Sequence, residues 1–511
     1  MLAKTYSYGI CGLDGYLVTI EVDVSQGLPQ TIIVGLPDNA IKESKERLRA
    51  AVKNSGFDFP AKRVIINLSP ADIKKEGPSF DLAISLAYLA ASGQISAKNL
   101  EKYVILGEIS LEGNIKPING ALTAILSAQD SNFDKILIPY ENAKECSIGS
   151  KKPIFPVRNI SEVVHFINNP DIIEPYKTEE ISEKIFETGA YDVDFNEVKG
   201  QTHIKRGLEI AAAGNHNALM IGPPGSGKSM LAKRLPTILP DMNFEEILET
   251  TKIHSTMGLL KQNQSVMNIR PFRSPHHTTS SIAIAGGGSY PKPGEVTLSH
   301  NGVLFLDELP EFNRNVLESL RQPLEDHYVT IARANRTLQF PCKFLLIAAM
   351  NPCPCGWFMT PKKTCTCSPK QIQQYLSKIS GPLLDRIDLH LEVPSASHHA
   401  LLSTTPSESS KDIKKRTTMA REIQRMRFKN TPINCNAYMN HRQVKEFCPL
   451  SDESKQLLRS AIEELGLSAR AYNRIIKVAR TIADLEKEKD ILPEHVAEAI
   501  QYRSLDRNWL G

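Results

Sequence analysis

No apolar run in this chain approaches the roughly 18 residues that a membrane span needs, and the N-terminus lacks the charged and apolar stretches of a secretion signal. Both absences lead us to expect a cytoplasmic protein. A strong charge of one sign is missing too: the formal net charge is +4 over 511 residues, so any surface for nucleic acid has to be local. There is no internal repeat and no sign of disorder. Nine cysteines do not make a disulfide framework in such a chain, and four of them crowd into one short segment. What remains, 41% hydrophobic and 23% charged, is ordinary composition for several folded domains.

Against that background two segments carry chemistry. Gly222-Pro223-Pro224-Gly225-Ser226-Gly227-Lys228-Ser229 is a complete phosphate-binding loop. Its glycines let backbone N–H groups approach phosphates, Lys228 reaches the β/γ oxygens of ATP, and the Ser229 hydroxyl ligates Mg²⁺. The context that the motif demands is present, with a strand-like run from Asn217 to Ile221 before it and a helical run from Met230 to Leu235 after it. Downstream, the apolar run from Val303 to Leu306 delivers Asp307 and Glu308. Asp307 is placed to hold the same metal, and Glu308 to orient or deprotonate the attacking water.

Around these segments the chain divides by composition. Residues 1–168 alternate strand and helix signals: Val18, Ile20, Val22 and Val24 alternate with polar residues, and Thr31 to Val34, Arg63 to Leu68, Tyr103 to Leu106 and Lys135 to Pro139 read as further strands. Helical spacing falls at Ala40 to Asn54 and Asp81 to Ala91. Residues 169–190 read as a linker, 191–394 as an α/β ATPase domain with a parallel sheet, 395–415 as a second hinge, and 416–511 as a helical lid, where Met419, Ile423 and Met426 recur at helical spacing, as do Leu458, Ile462 and Leu465.

Within 352–370, Cys353, Cys355, Cys365 and Cys367 offer four thiolates in a loop that carries glycine and proline. Such a set can close a tetrahedral Zn²⁺ shell, although one-residue gaps are tighter than the usual structural zinc spacing, and four reduced thiols remain the alternative. Lys362, Lys363 and Lys370 border the loop.

The ATPase domain resembles the AAA+ superfamily. On that resemblance Asn351, ending the run from Phe344 to Met350, is the polar sensor beside the γ-phosphate, the alternative being a plain turn-former before Pro352. Gly381 to Asp388 is similar to an arginine-finger segment, which makes Arg386 the group inserted into a neighbouring subunit's site; a surface ion pair with Asp385 or Asp388 is the competing reading. Arg470, with Arg474 as fallback, stands where related motors start their second sensor helix. The segments Arg270 to His277, Ala285 to Gly288 and Pro293 to Glu295 narrow the likeness to magnesium-chelatase-like AAA+ proteins of the ComM/YifB type, over essentially the whole chain. That resemblance implies a homo-oligomeric ring, expected to be a hexamer, with insertions facing a pore. Of these insertions, 328–340 reads as a hairpin turning at Ala334-Asn335, and its Arg333 and Arg336 are candidates for contact with DNA phosphates, or else ordinary solvated charges. No chemistry is assigned to His276 and His277.

Residues 1–168 resemble the proteolytic domain of Lon-type proteases, implying an α+β, ribosomal S5 domain 2-like fold. Lys75 to Ser79 matches the segment of the Lon nucleophile. The position of the lysine base is Leu122, however, and Lys116 falls on the wrong side of a turn, so Ser79 lacks its activating partner. Three functions stay open: an ATP-driven DNA motor of helicase or branch-migration type in recombination and natural transformation, a Lon-type protease or unfoldase, and a magnesium-chelatase-like subunit. The first is the reading adopted.

Overall fold

The computed structural model describes residues 1–177, 191–260, 266–288, 291–333, 336–358, 360, 363–395, 407–466 and 468–503. The chain splits into two compact units, Met1–Glu187 with Phe244–Asn268, and Thr188–Asn243 with Ile269–Gly511.

The first unit is built on a seven-stranded mixed sheet in the order Gln30–Val34, Arg63–Ser69, Asp14–Ser25, Leu2–Cys11, Tyr103–Ile105, Lys135–Pro139, Ile154–Val157. Val18, Ile20, Val22 and Val24 all turn into its core, as their period of two requires. Helix Asn39–Asn54 starts where the Asp38 carboxylate accepts from the Ile41 N–H at 2.8 Å, and helix Asp81–Ala91 is buried along its whole length. Ser79 lies in the single turn Pro78–Phe80. Leu122 is fully buried on helix Ala121–Ser127, an apolar residue of the core. Helix Phe244–Thr256, which the sequence places inside the ATPase domain, groups instead with this unit: the Gly120 N–H donates to the Ser255 carbonyl at 3.0 Å and the Thr123 and Thr256 hydroxyls meet at 2.8 Å.

The second unit holds a five-stranded, wholly parallel sheet in the order Phe272–Arg273, Val303–Leu306, Leu345–Met350, Ala218–Ile221, Leu389–Glu392. The three central strands are buried along their full length, which is why they read as unbroken apolar runs rather than alternating ones. Helix Thr202–Gly214 and the helices Ser410–Arg427, His441–Phe447, Asp452–Leu465, Ala469–Glu486 and Pro493–Gln501 complete its core. The mixed α/β architecture and parallel sheet agree with the α/β ATPase domain expected from the sequence.

The second hinge is shorter than expected at its far end, since a helix begins at Ser410, capped by the Ser409 hydroxyl; residues 396–406 fall outside the described part. The face of that helix is also not the one the apolar spacing suggests. Ile413, Thr417, Ala420, Arg421 and Gln424 are buried, while Met426 is 77% exposed. The reason is polar: Arg421 donates to the carbonyls of Ala213 and Ala212, each at 3.1 Å, and Gln424 to that of Ala213 at 3.2 Å, capping the end of helix Thr202–Gly214 from the side. Among the described residues no helix is long and apolar enough to cross a membrane.

Candidate functional site

The phosphate loop follows strand Ala218–Ile221 and runs into helix Lys228–Arg234, whose first N–H groups are free of intrahelical partners and therefore suited to an anion. The turn depends on Gly227, which caps that helix at φ 91°, a region that a side chain strains to enter. Lys228 is buried, and its ammonium donates to the Gly222 carbonyl at 2.7 Å, the Pro223 carbonyl at 3.0 Å and Asn351 Oδ1 at 3.2 Å. Burial lowers its pKa, against an opposing pull from Asp307. The loop is thus locked to the adjacent strand of the sheet, because Asn351 directly follows Leu345–Met350, which pairs with Ala218–Ile221.

Ser229 and Asp307 converge: the hydroxyl donates to Asp307 Oδ2 at 2.6 Å. A hydroxyl and a carboxylate so close form a hard-oxygen pair of the kind Mg²⁺ prefers, with room left for substrate phosphates and water in its shell. Glu308 stands beyond them with φ 52°, its side chain 57% exposed, and its N–H donates to Asp307 Oδ1 at 3.0 Å. Its carboxylate meets His277 Nδ1 at 3.3 Å. His277 in turn lies against His276, ring centroids 4.1 Å apart, and edge-on to Phe312. The sequence gives no cue to this contact, because the two partners lie in separate segments of the chain.

Arg386 is placed elsewhere. Asn217, at the start of the phosphate-loop strand, donates from Nδ2 to the Arg386 carbonyl at 3.1 Å and accepts from the Leu346 N–H at 2.9 Å. The phosphate loop leaves the other end of that four-residue strand, roughly 13 Å away at about 3.3 Å per residue. The Arg386 guanidinium pairs with Glu325 and donates to the Pro382 carbonyl at 2.7 Å, so its partner is neither Asp385 nor Asp388. Burial lowers its pKa, as do the positive charges of Arg470, Arg474 and Arg321. Asp388 is claimed by Arg474 at 2.5 Å and by His216 at 3.5 Å; although burial opposes ionisation, the Arg474 charge and the His216 contact hold its carboxyl well below the usual range. Arg470 is 62% exposed and lies 3.9 Å from Asp385. Both sensor candidates therefore share the neighbourhood of Arg386, and Arg474 is the one already committed to a structural pair.

Strands Tyr328–Arg333 and Arg336–Pro341 form an antiparallel hairpin in which Arg333 and Arg336 are the last register pair; the side chains of both, and residues 334–335, lie outside the described part. Cys353, Cys355, Cys365 and Cys367 come together with all four sulfurs within 4.8 Å of one another. Lys363 lies over the Trp357 ring at 5.3 Å, and Lys362 is outside the described residues.

Comparison with known proteins gives a consistent result along the chain. Residues 194–401 match the family described as magnesium chelatase, subunit ChlI, residues 20–142 match that described as subunit ChlI of Mg-chelatase, and residues 407–503 match the subunit ChlI C-terminal family. The chain is 44% identical to the competence protein ComM of Haemophilus influenzae over 99% of its own length and 98% of that protein. It is 41% identical to YifB of Escherichia coli over the same shares. Partial likenesses reach a Lon protease of Aster yellows witches'-broom phytoplasma, 33% identical over 32% of this chain and 21% of that one, and a DNA replication licensing factor of Dictyostelium discoideum, 23% identical over 59% and 32%.

Proposed function

This chain belongs to the ComM/YifB type of magnesium-chelatase-like AAA+ ATPases, and from that membership we propose that it is a ring-forming, ATP-driven DNA motor that moves branched or forked DNA during recombination and the uptake of foreign DNA. The observation that carries this reading is a hairpin ending in Arg333 and Arg336 on the same unit as a full ATP site. Arginines at a hairpin tip suit the phosphates of a threaded strand, and the names of two relatives, a competence protein and a DNA replication licensing factor, point to the same polymer. In this reading Lys228 and the loop N–H groups orient the ATP phosphates, Ser229 and Asp307 hold Mg²⁺, Glu308 takes the proton of the attacking water, and Asn351 keeps Lys228 in place. Bound Mg²⁺ supplies charge neutralisation for the β/γ oxygens. Assembly as a hexamer is part of the proposal, since Arg386 lies at the far end of the strand from its own phosphate loop and needs a neighbouring subunit to act on.

The test is hydrolysis and strand movement on labelled forked and four-way DNA. ATP turnover is expected to rise with such DNA, and binding to weaken steeply with salt, by close to one unit of slope in log K against log salt for each phosphate neutralised. Arg333→Ala with Arg336→Ala should flatten that slope by up to about two units for each subunit in contact with the DNA. Indifference of ATP turnover to every DNA and RNA offered ends the motor reading; a slope unchanged by the double substitution removes the two arginines from the contact.

One observation keeps a second reading in view. Lys75, four residues before Ser79, is fully buried and its ammonium makes no hydrogen bond, with burial lowering its pKa. A buried lysine of this kind can serve as a base, but it makes no hydrogen bond to Ser79. ATP-dependent degradation of casein that disappears in Ser79→Ala would favour an energy-dependent protease; no degradation by the wild type leaves this domain to assembly or binding.

A further inference from the structure

Asn351 is followed two residues later by Cys353, so the chain that leaves the sensor strand passes directly into the thiol cluster. Its sulfurs are 3.3 Å apart between Cys353 and Cys355, 3.7 Å between Cys353 and Cys365, and 3.6 Å between Cys355 and Cys365. Four sulfurs bound at about 2.3 Å to one tetrahedral ion stand about 3.8 Å apart, whereas a disulfide needs about 2.05 Å. The cluster has the dimensions of an ion's shell, and all four cysteines are free. Two backbone donors point at it, from the Phe358 N–H to Cys353 Sγ at 3.3 Å and from the Cys367 N–H to Cys365 Sγ at 3.4 Å, an arrangement that favours thiolates over thiols. Soft sulfur ligands select Zn²⁺ and reject the Mg²⁺ that the Ser229–Asp307 oxygens suit, so the two centres do not compete for one ion.

Two contacts carry this loop into the nucleotide site. Gly356, at φ 82°, lies so close to the phosphate loop that a Cβ there would sit 2.5 Å from Pro224 Cδ and 2.7 Å from its Cγ. Asn351 holds Lys228. Helix Pro369–Leu376 starts immediately after Cys367 on a Ser368–Gln371 capping box, with Tyr375 buried. We infer that Cys353, Cys355, Cys365 and Cys367 bind one Zn²⁺ and that this ion braces the phosphate loop, pressing Gly356 against Pro224 and fixing Asn351 beside Lys228. Without an ion, only weak sulfur contacts such as that between Cys355 and Cys365 hold the loop together, and the brace loses its footing.

The experiment uses the full chain, reduced, with no DNA, so its outcome is independent of the motor reading. Metal analysis after desalting should give one zinc per chain, Co²⁺ loading should give the absorption of a tetrahedral tetrathiolate site, and Cys355→Ser with Cys365→Ser should abolish both. Affinity for a fluorescent ATP analogue should fall about tenfold when a chelator strips the wild type, on the scale of losing a support next to a functional site. Gly356→Ala should retain zinc yet show a comparable fall, because it disturbs the contact and not the ligands. Should a variant fail to fold, the chelated wild type still answers the question, since it changes no residue. Failure to take up stoichiometric zinc overturns the metal; zinc uptake with nucleotide affinity unmoved by both chelation and Gly356→Ala overturns the brace.

Discussion

Glu308→Gln is expected to slow ATP hydrolysis by about 10² to 10⁴ while leaving ATP binding intact, the loss typical of removing a general base. The groups that grip the substrate lie apart from it: Lys228 is held by loop carbonyls and Asn351, and Ser229 is paired with Asp307. Glu308 contributes only an exposed carboxylate, 3.3 Å from His277. Glutamine is nearly isosteric and can keep the His277 contact, so the backbone at φ 52° is asked for nothing new; what disappears is the ability to take a proton. Nucleotide retention on a filter and phosphate release together check this. His277→Ala should behave differently, lowering kcat by a smaller factor with little change in KM, since the base survives and only its orientation is lost. Phosphate release by Glu308→Gln close to the wild-type rate would falsify the assignment.

Arg386→Ala should cost about 10³ to 10⁵ in rate if the guanidinium stabilises the phosphoryl group of an adjacent subunit. That is roughly 4 to 7 kcal/mol of transition-state stabilisation. The Glu325 pair that now occupies Arg386 opposes this little, because a pair whose acid is mostly exposed is worth under about 1 kcal/mol. On the proposed reading the interaction across subunits therefore outweighs it when a loaded neighbour is present. Mixing makes the claim specific: Arg386→Ala chains retain Glu308, Glu308→Gln chains retain Arg386, and a mixed assembly contains sites with both. Recovery of hydrolysis at intermediate mixing ratios is expected. If every ratio stays as inactive as the separate proteins, Arg386 does not work between subunits.

The nucleotide loop was readable because its chemistry leaves no freedom: positive φ calls for glycine, phosphate for lysine, and strands covered on both faces for unbroken apolar runs. The strands of the first unit were readable for a related reason, since Val18 to Val24 obey a period of two. Where burial is polar, the pattern misleads. Met419, Ile423 and Met426 mark an apolar stripe, yet the helix turns Arg421 and Gln424 inward to serve the carbonyls of another helix. Contacts between distant segments leave no local trace either. Nothing in the spelling of His277 announces Glu308, and Glu325 could not have been chosen over Asp385 or Asp388 as the partner of Arg386. The four cysteines were visible as a set, but Gly356 gives no hint of its fit against Pro224.

The helix Phe244–Thr256 belongs by its packing to the first unit while its sequence neighbours on both sides belong to the second. The polypeptide therefore passes from one unit to the other three times, and no single cut can separate them. A fragment ending near residue 190 would lack a piece of its own interior, including the buried Ile247 and Ile253. The complementary fragment would carry that piece with nothing to cover it. Dissecting the roles of the two halves thus calls for point changes in the intact polypeptide rather than for shortened ones.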